Sequence, residues 1–223
     1  DVAARGPMLL MVRHSSSADT VLAAALVANP NKILLRYVLK KEMLWDPCLD
    51  VVGRRLPNAF IDRASRKRGE ELALITGLAT SLDDASAVLI YPEGTRFSQA
   101  KRLRALEKLR AKPRLHSIAS DMKSVLPPKL AGTLALLEAS PSTDVVIMEH
   151  QGLECAANFK EVWRGGLVGM TLRVRVRRIP AHEIPQDERD VWLFQQWRET
   201  DRWICDQASS QPGTSPLSSG STP

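Results

Sequence analysis

The sequence predicts an α/β protein, a central sheet covered by helices on both faces, and three observations carry that expectation. Short continuous apolar runs such as Met8–Val12 and Ala87–Tyr91 recur along the chain. Stretches with helical spacing separate them, bounded by Pro, Gly and Asn. A length of 223 residues suffices for one domain that buries well over half of its unfolded surface. Strands alternating with helices pack as a sheet with helices on it.

Met8–Val12 reads as a buried strand ending at Arg13 and His14. Ser15, Ser16 and Ser17 are N-cap candidates for a buried helix through Val21–Val27, which Asn29-Pro30-Asn31 stops. Lys32–Leu39 reads as a second strand, Met43–Trp45 as a short element and Ala59–Ile61 as a third apolar piece. Lys67–Leu82 reads as an amphipathic helix through Leu72, Ile75 and Leu78 or Ala79. Ala87–Tyr91 is the strongest strand, and Pro92 ends it because it lacks the donor a ladder needs. Helices are expected over Gln99–Ala111 and Leu130–Glu138, strands over Val145–Met148 and Leu172–Ile179, and a closing helix over Asp187–Asp206. From Gln207 the chain turns to Ser, Pro, Gly and Thr, so residues 1–206 are expected to form the domain and residues 207–223 a disordered tail.

A net charge of +6 favours anionic partners, whether nucleic acid, anionic lipid headgroups or phosphorylated small molecules. Cys48, Cys155 and Cys205 form no C-x-x-C pair, which argues against a disulfide framework and a zinc site and for a reducing setting. No run reaches the eighteen or so apolar residues of a membrane span. No signal peptide is recognised, and a chain that opens on Asp1 is expected to have had a segment upstream.

Two motifs carry chemistry. In His14-Ser15-Ser16-Ser17-Ala18-Asp19 the imidazole follows a strand and the carboxylate opens a helix. Asp19 can then fold back to hold the Nδ1–H, leaving Nε2 as a base of fixed tautomer. On these six residues alone, a strand-end histidine beside a helix-capping aspartate is the simpler reading. In Tyr91-Pro92-Glu93-Gly94-Thr95-Arg96-Phe97 the turn sits at the end of the strongest strand, where open α/β sheets bind ligands. Gly94 permits the turn, Arg96 offers a planar fork for phosphate oxygens, and Glu93 can fix that fork or accept from a substrate hydroxyl. An ordinary Glu–Arg pair on a turn fits equally well.

Together, and in this order, the two motifs resemble the lysophospholipid acyltransferase family, which includes the 1-acylglycerol-3-phosphate acyltransferases. Gly53-Arg54-Arg55-Leu56-Pro57-Asn58-Ala59-Phe60-Ile61-Asp62-Arg63 is similar to the family's second block, and Lys41-Glu42 with Pro47 to its lead-in. Val125-Leu126-Pro127-Pro128-Lys129 stands for the fourth block. The fold the resemblance implies is a mixed central sheet with helices on both faces, glycerolipid acyltransferase-like, with residues 1–206 as the catalytic domain.

The resemblance also implies roles. His14 would be the general base and Asp19 its orienting partner. Arg63 and Arg96 would bind the acceptor phosphate, with Glu93, Gly94 and Thr95 shaping that site. Val125, Leu126, Pro127 and Pro128 would line the acyl-donor side. Acyl-CoA or acyl carrier protein would be the co-substrate and a lysophospholipid the acceptor, at a membrane surface on the cytoplasmic face, with no cofactor, metal or nucleic acid. Arg13 departs from the asparagine common before the histidine, which leaves another lysolipid or an aminolipid open as acceptor. A basic module that only binds anionic lipid is the non-enzymatic alternative. His116, His150 and His182 read as surface or packing histidines. Trp192, Trp197 and Trp203 are expected to pack on the sheet, and the Arg173, Arg175, Arg177 alternation to be a strand's solvent face.

Overall fold

A computed structural model of the chain describes residues 6–16, 18–45, 50, 51, 53, 55–62, 68–154, 164, 165 and 168–209. Arg63, Ser17, Cys48, Cys155 and the tail from 210 lie outside the described residues. Six strands form one sheet: β1 (Met8–Val12), β2 (Leu34–Lys40), β3 (Ala59–Ile61), β4 (Ser86–Ile90), β5 (Asp144–Gln151) and β6 (Arg173–Ile179). Their order is β3-β2-β4-β1-β5-β6. The first five strands in the chain are mutually parallel and β6 runs antiparallel to β5, so the sheet is mixed as expected.

Alternation along the central strands divides the core in two. Leu9 and Met11, Val88 and Ile90, and Val145 and Ile147 face one side. There they meet α2 (Arg68–Ala79), α4 (Pro113–Ser120), α5 (Leu130–Ala139) and α6 (Arg189–Ser209) through Ile75, Leu115, Leu136 and Trp197. Each fully buried large side chain of this kind stabilises the fold by about 1.5–3 kcal/mol. Met8, Leu10, Val12, Leu89, Val146 and Met148 face the other side, covered by Ala23, Val27 and Ala28. The helix α3 (Gln99–Leu109) follows the β4 turn and buries no residue fully.

Several expectations are corrected. The segment after β1 is not buried all round. Its α1 turn (Asp19–Ala23) passes through a π turn (Ala24–Ala28) into Asn29–Asn31. Val21 is 68% exposed and Leu26 45%, because a single layer of helix can turn only one side to the sheet. Ala18 holds the N-cap position of α1 without a side-chain cap of its own, Ser16 Oγ accepts the Ala18 N–H (3.1 Å) in the turn before it, and Asp19 itself reaches back to the loop. The arginine alternation on β6 is only partly open to solvent. Arg175 and Arg177 lie against the fully buried Glu149 and against Glu199 of α6. Helix α4, which carries Pro at its start, was not legible in the sequence, and α6 spans Arg189–Ser209 where a helix over Asp187–Asp206 is expected. Trp192 and Trp197 are buried against the sheet, as expected.

Register places the site. Met11 pairs with Ile90 across β1 and β4, so His14 and Glu93 each lie three residues beyond the same rung. Val12 pairs with Met148 across β1 and β5, so His14 and His150 each lie two residues beyond theirs. Residues 79 and 136 positions apart in sequence (93 − 14 and 150 − 14) therefore share one end of the parallel sheet.

Candidate active site

His14 lies in the loop after β1, and its Nδ1 is 2.9 Å from Asp19 Oδ2. The same oxygen accepts the backbone N–H groups of Ser15 (2.7 Å) and Ser16 (2.9 Å). A fully buried oxygen so engaged is an acceptor, so the proton on the neutral ring belongs on Nδ1 and Nε2 keeps its lone pair. The imidazole packs on Tyr91 with ring centroids 4.4 Å apart and stays 24% exposed, within reach of a ligand.

Asp19 has a second imidazole beside it. His150 Nε2, fully buried on β5, lies 3.3 Å from Asp19 Oδ1 and 3.2 Å from the Arg13 carbonyl. The Arg13 carbonyl can only accept, so the His150 proton sits on Nε2. Burial lowers the pKa of His150 below the ordinary histidine value, only partly opposed by the nearby Asp19 charge. Arg13, also buried, donates to the His150 carbonyl (2.6 Å), to the Glu154 carboxylate and to the Ser124 carbonyl (3.3 Å). Arg13 thus ties together the loops beyond β1 and β5 and the chain before the fourth block.

The turn after β4 is built around Glu93. Its two carboxylate oxygens accept the N–H of His14 (2.9 Å) and the N–H of Leu126 (2.9 Å). Glu93 therefore clamps the first motif to the fourth block. Burial raises its pKa to about 7 against the opposing pull of those two donors. Gly94 holds φ at +66°, which a residue with a Cβ rarely adopts. A Cβ there would also fall 2.8 Å from Lys129 Cδ. Thr95 Oγ1 and the Arg96 carbonyl accept from Lys101 Nζ at 3.1 and 2.9 Å, which folds the turn against α3.

A second buried carboxylate holds the approach to the fourth block. Asp201 of α6 accepts the N–H groups of Lys123, Ser124 and Val125. Leu126, Pro127 and Pro128 then line a cavity of about 710 Å³ with Glu93, Thr95 and Lys129, whereas Val125 is in the hydrophobic core. An apolar cavity of about 390 Å³ lies alongside, lined by Ile75, Ile90, Tyr91, Pro92, Gly94 and others, and the two share Lys129 and Ala131.

The structure thus brings His14, Asp19, Glu93, Gly94, Thr95 and Arg96 to one end of the sheet, with Leu126, Pro127 and Pro128 beside them. Arg63 lies outside the described residues. Sequence reasoning missed His150 and Asp201. His116 is half-buried and His182 exposed, but His150 is a packing histidine in contact with the site. The pairing register of β1 with β5 would have been needed to find it. Among the described residues no group of His, Cys, Asp and Glu could hold a metal ion, and no helix is long and apolar enough to cross a membrane.

A mixed α/β sheet carries a histidine–aspartate pair and a Glu-Gly-Thr-Arg turn on adjacent strand ends, the arrangement the sequence leads one to expect of an acyltransferase domain. Residues 1–131, more than half of the chain, match the family model described as acyltransferase, and the chain belongs to that family, the family of 1-acylglycerol-3-phosphate acyltransferases and related lysophospholipid acyltransferases. No curated protein and no solved structure matches it.

Proposed function

We propose that this domain transfers a fatty acyl group from a thioester donor, acyl-CoA or acyl carrier protein, to the free hydroxyl of a lysophospholipid such as 1-acylglycerol 3-phosphate. It would work at a membrane surface, on the cytoplasmic face, where the net charge of +6 favours anionic lipid. The observation that carries the reading is the 2.9 Å contact between His14 Nδ1 and Asp19 Oδ2, made beside the clamped Glu93 turn.

His14 Nε2 takes the proton of the acceptor hydroxyl as that oxygen bonds to the thioester carbonyl carbon, and Asp19 stabilises the imidazolium that forms. General-base assistance of this kind contributes about 10²–10⁴-fold. Collapse of the tetrahedral intermediate breaks the C–S bond, and the departing thiolate recovers the proton from His14. The thioester supplies the driving force, so no cofactor is required, and the acyl group passes directly to the acceptor oxygen in a ternary complex without an acyl-enzyme. Arg63 and Arg96 grip the acceptor phosphate, shaped by Gly94 and Thr95. The apolar cavity along Ile75 and Ile90 suits an acyl chain.

Incubation with a panel of lysolipids and radiolabelled acyl-CoA, followed by product identification, tests activity and acceptor together. His14→Ala should abolish transfer at an unchanged thermal midpoint, and a fully active variant would overturn the mechanism. Label appearing in another lysolipid or an aminolipid would keep the chemistry and change the acceptor. Vesicle binding with no label transferred would leave a lipid-binding module.

A further inference from the structure

Three buried ionisable side chains hold one irregular stretch of chain by its backbone. Residues 123–129 form neither helix nor strand, so no ladder of their own fixes their course. Asp201 of α6 accepts the N–H groups of Lys123 (2.9 Å), Ser124 (2.5 Å) and Val125 (3.1 Å). Arg13 donates to the Ser124 carbonyl at 3.3 Å, and Glu93 accepts the Leu126 N–H at 2.9 Å. None of the three side chains is more than 3% exposed. Cys205, one turn along α6 from Asp201, adds a contact of its Sγ with Ser124 Oγ at 3.3 Å.

We infer that Asp201 and Arg13 are positioning residues for acyl transfer, an inference that rests on the transfer reading above. They grip Ser124 from its two sides, the carboxylate on the N–H and the guanidinium on the carbonyl. A carboxylate that accepts from peptide N–H groups forms charge-assisted bonds, which are the stronger class. The planar fork of Arg13 reaches the His150 carbonyl and the Glu154 carboxylate as well as Ser124, a spread that the point charge of a lysine does not match.

The path from this grip to the imidazole is short. Leu126 follows Ser124 by two residues, and one carboxylate, that of Glu93, joins the Leu126 N–H to the His14 N–H. Where Ser124 sits therefore sets where Glu93 holds the backbone of the general base. A misplacement of about 1 Å in a reacting group can cost about 10²-fold in rate, so a hold at this remove weighs on kcat. Helix α6 lies beyond the residues 1–131 that match the family model, and through Asp201 it belongs to the same catalytic unit. The plainer alternative is that Asp201 and Arg13 only fasten α6 and the loops to the domain, which would move stability and leave turnover alone.

Two measurements on the whole chain, both made well below every variant's thermal midpoint, separate alignment from stability. The first is steady-state transfer from acyl-CoA to the lysolipid that the panel identifies. Asp201→Asn, which turns an NH2 group toward peptide donors, should lower kcat about 10- to 100-fold with KM for the acceptor within about twofold. Arg13→Met should do the same, and Arg13→Lys should recover part of the loss. The Asp201→Asn, Arg13→Met double variant should lose less than the product of the two single losses, because both act through Ser124. Arg202→Ala, an exposed neighbour on α6, should behave as wild type. The second is the proton NMR spectrum of the imidazoles, assigned with His14→Ala. The His14 signals should shift in Asp201→Asn while those of the exposed His182 stay in place. Should Asp201→Asn fail to fold, Arg13→Lys and its His14 signals make the same test. Wild-type kcat in the folded variants, multiplicative losses, or unmoved His14 signals would overturn the inference. His14 signals that move in Asp201→Asn, with no acyl transfer by wild type to any lysolipid, would uphold the linkage and reject the transfer reading.

Discussion

His150 Nε2 lies 3.3 Å from Asp19 Oδ1, while Asp19 Oδ2 engages His14, so one buried carboxylate sits between two imidazoles. His150 is a positioning residue in this arrangement: it touches Asp19 and reaches the reaction only through it. His150→Phe should lower kcat about 10- to 100-fold by letting Asp19 rotate, with KM for the acceptor unchanged. His150→Gln, which keeps a donor in that place, should restore part of the loss. Equal kcat in wild type and His150→Phe would remove the residue from the mechanism.

Asp19→Asn probes the same carboxylate more directly. An amide cannot be an acceptor on both sides, so the ring tautomer at His14 is no longer fixed, and the loop N–H groups of Ser15 and Ser16 lose their charged partner. Transfer should fall about 10²–10⁴-fold. Steady-state kcat on the identified acceptor checks this, and a variant within a factor of about two of wild type contradicts the orienting role.

Glu93 makes stability depend on pH in a stated direction. Burial raises its folded pKa to about 7 from an ordinary 4.5, so the native state holds this proton more tightly than the unfolded chain does. Stability from that proton is complete below about pH 4.5 and is lost as pH rises through about 7. The full swing is about 3 kcal/mol for a shift of this size. The thermal midpoint of wild type should therefore fall, relative to that of Glu93→Gln, between pH 5 and pH 8. Parallel curves for the two proteins over that range would show that Glu93 does not titrate there.

At Gly94 two costs coincide. A side chain must adopt φ near +66°, and its Cβ must displace Lys129, whose Cδ would lie 2.8 Å away. Gly94→Ala should cost about 1–2 kcal/mol of stability for the left-handed conformation and shift Lys129 out of the wall shared by the two cavities. Chemical denaturation together with KM for acyl-CoA checks both effects. Unchanged values for both would mean that the turn relaxes freely.

What the sequence revealed and what it hid have a common physical basis. Periodicity exposed the central strands because β1 and β4 are buried on both faces and contain no charged residue. The spacing of His14 and Asp19 exposed their contact because both lie in one loop-to-helix turn. His150, Asp201 and the clamping role of Glu93 depend on register and on contacts across dozens of residues, which no local pattern encodes. The alternation of Arg173, Arg175 and Arg177 was legible as a strand but not as a half-buried face, because the fold supplies the buried partner of Arg175 and Arg177 from β5.

That buried partner gives the last prediction. Glu149 is fully buried, and one of its oxygens accepts from Arg177 Nη2 (2.8 Å) and Thr200 Oγ1 (2.8 Å), while the other pairs with Arg175. Arg175 and Arg177 are two residues apart on β6 and point the same way, so removing the carboxylate leaves two guanidinium groups against α6 with Glu199 as their shared carboxylate, Gln196 still accepting from Arg177 and the Trp203 ring under Arg175. Glu149→Ala should cost about 3–5 kcal/mol, the usual loss when one side of a buried ion network is removed. Glu149→Gln should cost less, because its amide oxygen can still accept from one arginine or from Thr200. Urea unfolding at neutral pH reads both values. A loss below about 1 kcal/mol in Glu149→Ala would mean that the contacts of the two arginines with Glu199 and solvent replace the buried carboxylate.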